Sequence, residues 1–138
     1  MRNIEYIVVH CTASSQKWGV RDLEHEFKRK GWKNPGYHYV VTADGKIHQM
    51  LADNYVSNGV KGHNSVSINI AYVGGVDLEN KLSPTDNRTD AQKKSLRMML
   101  GILKKRYPKA VIQGHRDFPG VAKACPCFDA RREYYDMD

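Results

Sequence analysis

The chain opens on an apolar run, Ile4 to His10, rich in valine and isoleucine. Such a run predicts a strand buried on both faces, close to the centre of a sheet. Val20, Leu23 and Phe27 then recur at helical spacing, and Gly31 stands where that helix would stop. Two strand-like runs, Tyr37 to Thr42 and Lys46 to Leu51, flank Ala43-Asp44-Gly45, a good hairpin signal. Ser67 to Val73 predicts another strand, closed by Gly74-Gly75. Residues 76–88 are polar and turn-rich and are expected to form a loop.

Thr89 and Gln92 have the spacing of a capping box. Behind them Leu96, Met99, Leu100, Leu103 and Tyr107 mark one face of a long amphipathic helix that Pro108 stops. Gly101 inside it costs about 1 kcal/mol against alanine, which close packing is expected to offset. A short strand over Ala110 to Gln113 and a terminal helix over Phe128 to Tyr135 complete the pattern. Strands alternating with helices, plus one hairpin, predict an α/β (α+β) fold: a central mixed β-sheet flanked by helices. No repeat, low-complexity tract or linker divides the 138 residues, so a single domain over 1–138 is expected.

Composition narrows the partners. No apolar run approaches the ~20 residues of a transmembrane helix. MRNIEYIVVH lacks the features of a secretory leader, so synthesis in a cytoplasm is expected. There are 22 Lys and Arg against 15 Asp and Glu, a net charge of +7 that favours polyanions: nucleic acid, an anionic membrane or an acidic cell-wall polymer. The basic residues are dispersed. The clusters at 28–30 and 104–106 fall in helical patterns and read as solvated faces, so no specific nucleic-acid site is expected. Three cysteines, Cys11, Cys125 and Cys127, do not make a disulfide framework and direct attention to thiol or metal chemistry.

His10 ends the first strand and His115 follows the last strand after Gly114. Ligands in open sheets collect beyond the carboxyl ends of strands. If the two strands are parallel neighbours, both imidazoles reach one crevice, and the loop Lys123-Ala124-Cys125-Pro126-Cys127 must pass the same edge. Two neutral imidazoles and one thiolate suit zinc with an open fourth position. Cys125 and Cys127 compete for the third place. Cys11 is expected to face the core, away from His10.

Several ordered blocks resemble a family: Ile7-Val8-Val9-His10-Cys11-Thr12-Ala13, Gly36-Tyr37-His38-Tyr39, Val73-Gly74-Gly75 and Lys123-Ala124-Cys125-Pro126. They are similar, over nearly the whole chain, to zinc N-acetylmuramoyl-L-alanine amidases of the T7 lysozyme type, a group shared with peptidoglycan recognition proteins. The resemblance implies a bacteriolytic phage or prophage endolysin that uses one Zn2+ to cleave the amide between N-acetylmuramic acid and L-alanine in cell-wall peptidoglycan. It implies His10, His115 and Cys125 as metal ligands, with Tyr37 and Lys123 as catalytic residues that do not bind metal. Two departures stand out: the stretch from His115 to Lys123 is slightly longer than in the phage relative, and Cys127 replaces a serine.

Other residues keep two readings. His63 and Asn64 line a substrate groove or form a polar turn. Asp117 orients a ligand histidine or caps a turn. Trp18, Trp32 and Tyr55 touch sugar or pack edges. His38 should face away from Tyr37 and is read as structural, and His25 and His48 as exposed. Two alternative functions belong to other classes: a muropeptide-binding module without catalysis, and a regulator binding a protein such as an RNA polymerase.

Overall fold

The computed structural model describes residues 2–138. In chain order the elements are β1 (Tyr6–Cys11), α1 (Val20–Arg29), β2 (Tyr39–Val41), β3 (Ile47–Gln49), β4 (Ser67–Tyr72), β5 (Val76–Asp77), β6 (Ser83–Pro84), α2 (Asp90–Arg106), β7 (Val111–Gly114) and α3 (Ala130–Glu133). The main sheet has the order β3-β2-β4-β1-β7. β1 lies parallel to both β4 and β7, β2 lies parallel to β4, and β3 closes one edge antiparallel to β2. The apolar first run is therefore interior to the sheet, and the hairpin at Asp44-Gly45 supplies its one antiparallel pair.

The sheet separates two packing layers because successive side chains of a strand point to opposite faces. Ile7, Val9 and Cys11 of β1 join Ile68, Ile70 and Tyr72 of β4 under Leu96, Leu100 and Leu103 of α2. Ala130 and Tyr134 pack into the same layer. On the other face Val40 meets Leu23 and Phe27 of α1, and Val8 meets Val60 and Phe118.

The capping box forms. Thr89 Oγ1 accepts the Gln92 N–H at 3.1 Å, and Gln92 Oε1 accepts the Thr89 N–H at 2.9 Å. The buried Gln92 amide also donates to the carbonyls of Val41 and Val73, tying the start of α2 to the ends of β2 and β4. Arg88, almost fully buried, pairs with Asp86 and Glu133 and lies 3.4 Å from the Phe128 ring, joining the start of α2 to α3.

Three local expectations change. Residues 76–88 carry a small antiparallel hairpin, β5 with β6, because Val76 and Asp77 pair with Pro84 and Ser83. The terminal helix is shorter than its apolar pattern suggests: Asp129 accepts the Arg132 N–H to start α3, which gives way to a 3-10 turn over Tyr135–Met137. Gly101 is not held by close packing, since a methyl there would meet only Met137 Cε at 3.6 Å. No helix among the described residues is long and apolar enough to cross a membrane.

Candidate metal centre and its cleft

Parallel pairing of β1 with β7 brings the two histidines together. Val9 pairs with Gly114, so His10 and His115 each stand one residue beyond that pair, at the carboxyl edge. Their ring centroids are 5.0 Å apart. The loop after His115 is pinned back on the same edge. Arg116 N–H donates to the Cys125 carbonyl at 2.9 Å, and the Tyr72 hydroxyl donates to the Pro126 carbonyl at 2.7 Å. Gly114 permits this approach, since a Cβ there would lie 2.6 Å from Pro126 Cδ.

Cys125 thus reaches the histidines. Its Sγ accepts the Cys11 N–H at 3.1 Å and lies 3.9 Å from His10 Nδ1. Ligand atoms of His10, His115 and Cys125 all fall within 4.8 Å of one another. Cys127, two residues on, turns to the other face, with its Sγ 3.9 Å from that of Cys11 in the α2 layer. The backbone itself thereby separates the two competing cysteines.

Burial and a nearby positive charge keep both imidazoles unprotonated. Burial, against the Asn69 hydrogen bond and with help from the Lys123 charge, lowers the His10 pKa to about 4. Burial, then the neighbouring His10 and Lys123, lowers His115 to about 4. Both imidazoles are neutral at pH 7, as ligands must be. The Cys11 thiol is pushed up by its hydrogen bond with Cys125 and by burial, which keeps it protonated in the core.

Tyr37 lies just before β2, with its ring 5.3 Å from that of His10 and edge-on to Phe27. Its ring is partly exposed, but its hydroxyl points inward and donates to the Cys11 carbonyl at 3.3 Å. Desolvation, and then Cys125 and Cys11, raise its pKa well above the ordinary value, so it stays a neutral donor. Lys123 is exposed at the rim of the cleft.

His10, His115, Cys125, Tyr37 and Lys123 line one cleft of about 190 Å³. This opens past Trp32, Asn58 and Gly59 into a groove of about 750 Å³ that Lys61, Asn64 and the 119–123 stretch also line. The loop after His115, Lys123 included, therefore borders the groove. A separate groove of about 510 Å³ beyond Trp32 holds none of the candidate ligands.

The remaining candidates divide. Asn64 lines the groove, but its carbonyl oxygen accepts the Gly59 and Val60 N–H groups and so shapes the wall. His63 packs against Phe118 at 4.5 Å instead of entering the groove. Asp117 accepts the Gly114 N–H at 2.7 Å, the turn-capping reading. Trp32, stacked on Phe27, reaches the cleft, whereas Trp18 packs against the Leu23 and Phe27 cluster and Tyr55 stands exposed outside the cleft. Sequence reasoning missed Asn69, a fully buried side chain whose Oδ1 lies 2.8 Å from His10 Nε2. An asparagine inside an otherwise apolar strand was the available signal.

The family model of N-acetylmuramoyl-L-alanine amidases matches residues 1–128. The chain belongs to this amidase family. The amidase is 39% identical to the endolysin of Klebsiella phage KP32 over 91% of its own length and 82% of that protein's. It is 38% identical to the endolysin of Escherichia phage T7, with the same coverage. Among solved structures, the Ph2119 endolysin of a Thermus scotoductus bacteriophage superposes with a TM-score of 0.80 at 29% identity, covering 99% of this amidase and 86% of that chain. PGRP-SA of Apis mellifera shares the fold, with a TM-score of 0.74 at 17% identity over 99% of this chain and 84% of its own.

Proposed function

We propose that this amidase is an endolysin-type peptidoglycan hydrolase that holds one zinc ion between His10, His115 and Cys125. It cleaves the amide between the lactyl group of N-acetylmuramic acid and L-alanine of the stem peptide. The observation that carries the reading is the convergence of two neutral imidazoles and one thiol, within 4.8 Å of one another, in a cleft that opens into a larger groove. Tetrahedral zinc sets nitrogen and sulfur ligands roughly 3.5 Å apart, close to the 3.9 Å between His10 Nδ1 and Cys125 Sγ. Cys125 is already oriented by the Cys11 N–H, and His10 by Asn69.

When bound, zinc supplies Lewis acidity, which lowers the pKa of water to about 7 and polarises a carbonyl. The chain's own groups supply the rest. The Tyr37 hydroxyl, kept neutral and aimed inward, orients the attacking water and the proton it releases. The Lys123 ammonium at the cleft rim stabilises the negative charge that develops on the carbonyl oxygen. Lys30, Lys61 and Lys123 border the cleft and groove and suit a substrate carrying carboxylates. Similarity to the KP32 and T7 endolysins supports the cell wall as the place of action.

The test is the bond cut in purified peptidoglycan, with and without a chelator. New alanine amino termini, no new reducing sugar ends and loss on chelation support the reading. New reducing ends, or no cleavage by a folded, zinc-loaded chain, contradict it.

A further inference from the structure

We propose that Asn69, held by Ser57 and His38, is the positioning residue that sets His10 with its proton on Nε2 and its lone pair on Nδ1, toward the metal. The inference rests on His10 being a zinc ligand. His10, Asn69, Ser57 and His38 are all buried, and consecutive members of the chain lie within hydrogen-bond distance.

The direction of each bond follows from its far end. The backbone N–H of Asn69 can only donate, and it meets His38 Nδ1 at 3.0 Å. The Tyr55 carbonyl can only accept, and it meets His38 Nε2 at 2.8 Å. His38 is therefore protonated on Nε2 and bare on Nδ1. The Arg2 guanidinium also lies 3.1 Å from Nε2, but it cannot donate to a nitrogen that already carries a proton, and its Nη2 donates to the Asp53 carbonyl at 2.6 Å. The Ser57 hydroxyl, 3.1 Å from the same Nδ1, finds no proton there to accept and turns its own hydrogen to the lone pair, which it shares with the Asn69 N–H. Its oxygen is left to accept the Asn69 side-chain N–H at 2.7 Å. Asn69 Oδ1 then faces His10 Nε2 at 2.8 Å, and the only bond it can make there is one it accepts.

The opposite placement of the Asn69 amide fails on electrostatics. Ser57 would then donate to Asn69, and its oxygen would confront the His38 lone pair at 3.1 Å. The amide lies against Gly59, where a Cβ would fall 2.3 Å from it, so a glycine is required beside it. A neutral imidazole carries one proton. With that proton on Nε2, the lone pair is on Nδ1, the atom that faces Cys125 Sγ at 3.9 Å. A backbone amide in β4 thus determines, through three side chains, which nitrogen of His10 faces the metal position. His38, read from sequence as structural, belongs to the support of the site. Groups that orient a ligand histidine usually change metal affinity when removed.

The experiment combines zinc competition with nitrogen-resolved NMR of the imidazoles in the zinc-loaded chain. Asn69→Leu is expected to weaken zinc binding roughly 10–100-fold. Asn69→Asp, which keeps an oxygen opposite Nε2, should recover most of that loss. The wild-type spectrum should place the protons of both His10 and His38 on Nε2. A proton on Nδ1 of His10 overturns the inference whatever the variants do, so an Asn69→Leu chain that fails to fold does not shield it. A wild-type chain that takes up no zinc overturns the metal-centre reading and this inference with it. Wild type and Asn69→Leu binding zinc equally tightly overturns this inference alone.

Discussion

The two faces of β1 differ by one residue of register and by their whole chemistry. Ile7, Val9 and Cys11 point into the α2 layer, where Leu96, Leu100 and Leu103 are fully buried and the thiol of Cys11 stays protonated. Val8 and His10 point to the α1 side, where polar groups are equally buried but each is paired. One face stabilises by burying apolar area, and the other accepts the cost of buried polar groups to hold donors in place. The cysteines after β7 repeat the division, with Cys125 joining the histidines and Cys127 joining Cys11. The candidate metal centre depends on an alternation that a one-residue slip of β1 would exchange.

Substitutions that treat the faces unequally test that division. Cys125→Ala should remove zinc and reduce amidase activity to background in a folded protein, while Cys127→Ala should keep both, as read by metal content and peptidoglycan turnover. Tyr37→Phe and Lys123→Ala should each keep zinc but lower kcat, by roughly 10²–10⁴ and 10²–10³. Leu100→Ala on the α2 face should cost about 2–5 kcal/mol in denaturant unfolding and leave the zinc affinity of the folded chain unchanged.

A pH scan sharpens the contrast. Both imidazoles have folded values of about 4, below the ordinary 6.5. Between those values the unfolded chain binds more protons than the folded one. Stability of the metal-free chain should therefore rise as pH increases from 4 to 6.5, and His10→Phe should flatten that rise. The smallest effect lies farthest from the site: Gly101→Ala should stabilise by about 1 kcal/mol, because the position is helical and a methyl fits.

How far the sequence carried these conclusions depended on the kind of signal. Short-range patterns were readable. The Ile4–His10 run placed a central strand, Asp44-Gly45 placed the hairpin, and Thr89 with Gln92 placed the start of α2. The parallel pairing that unites His10 and His115 was a condition from the residues alone, and the family resemblance supplied what spacing did not. Partnerships between distant polar residues leave no local pattern to read. Asn69 with His10, Arg88 with Glu133 and Arg106 with Asp53 are fixed by packing of segments far apart in the chain. Gly101 failed for a related reason, since its one near neighbour, Met137, lies far along the chain. The choice between Cys125 and Cys127 likewise rested on how the loop turns at Pro126, which is held by Tyr72 from β4.

The most direct test of the divided sheet is zinc stoichiometry by equilibrium dialysis on three chains: wild type, Cys125→Ala and Cys127→Ala. One zinc per chain for wild type and Cys127→Ala, and none for Cys125→Ala, is the predicted result. A folded Cys125→Ala chain that keeps one zinc and full amidase activity would contradict it.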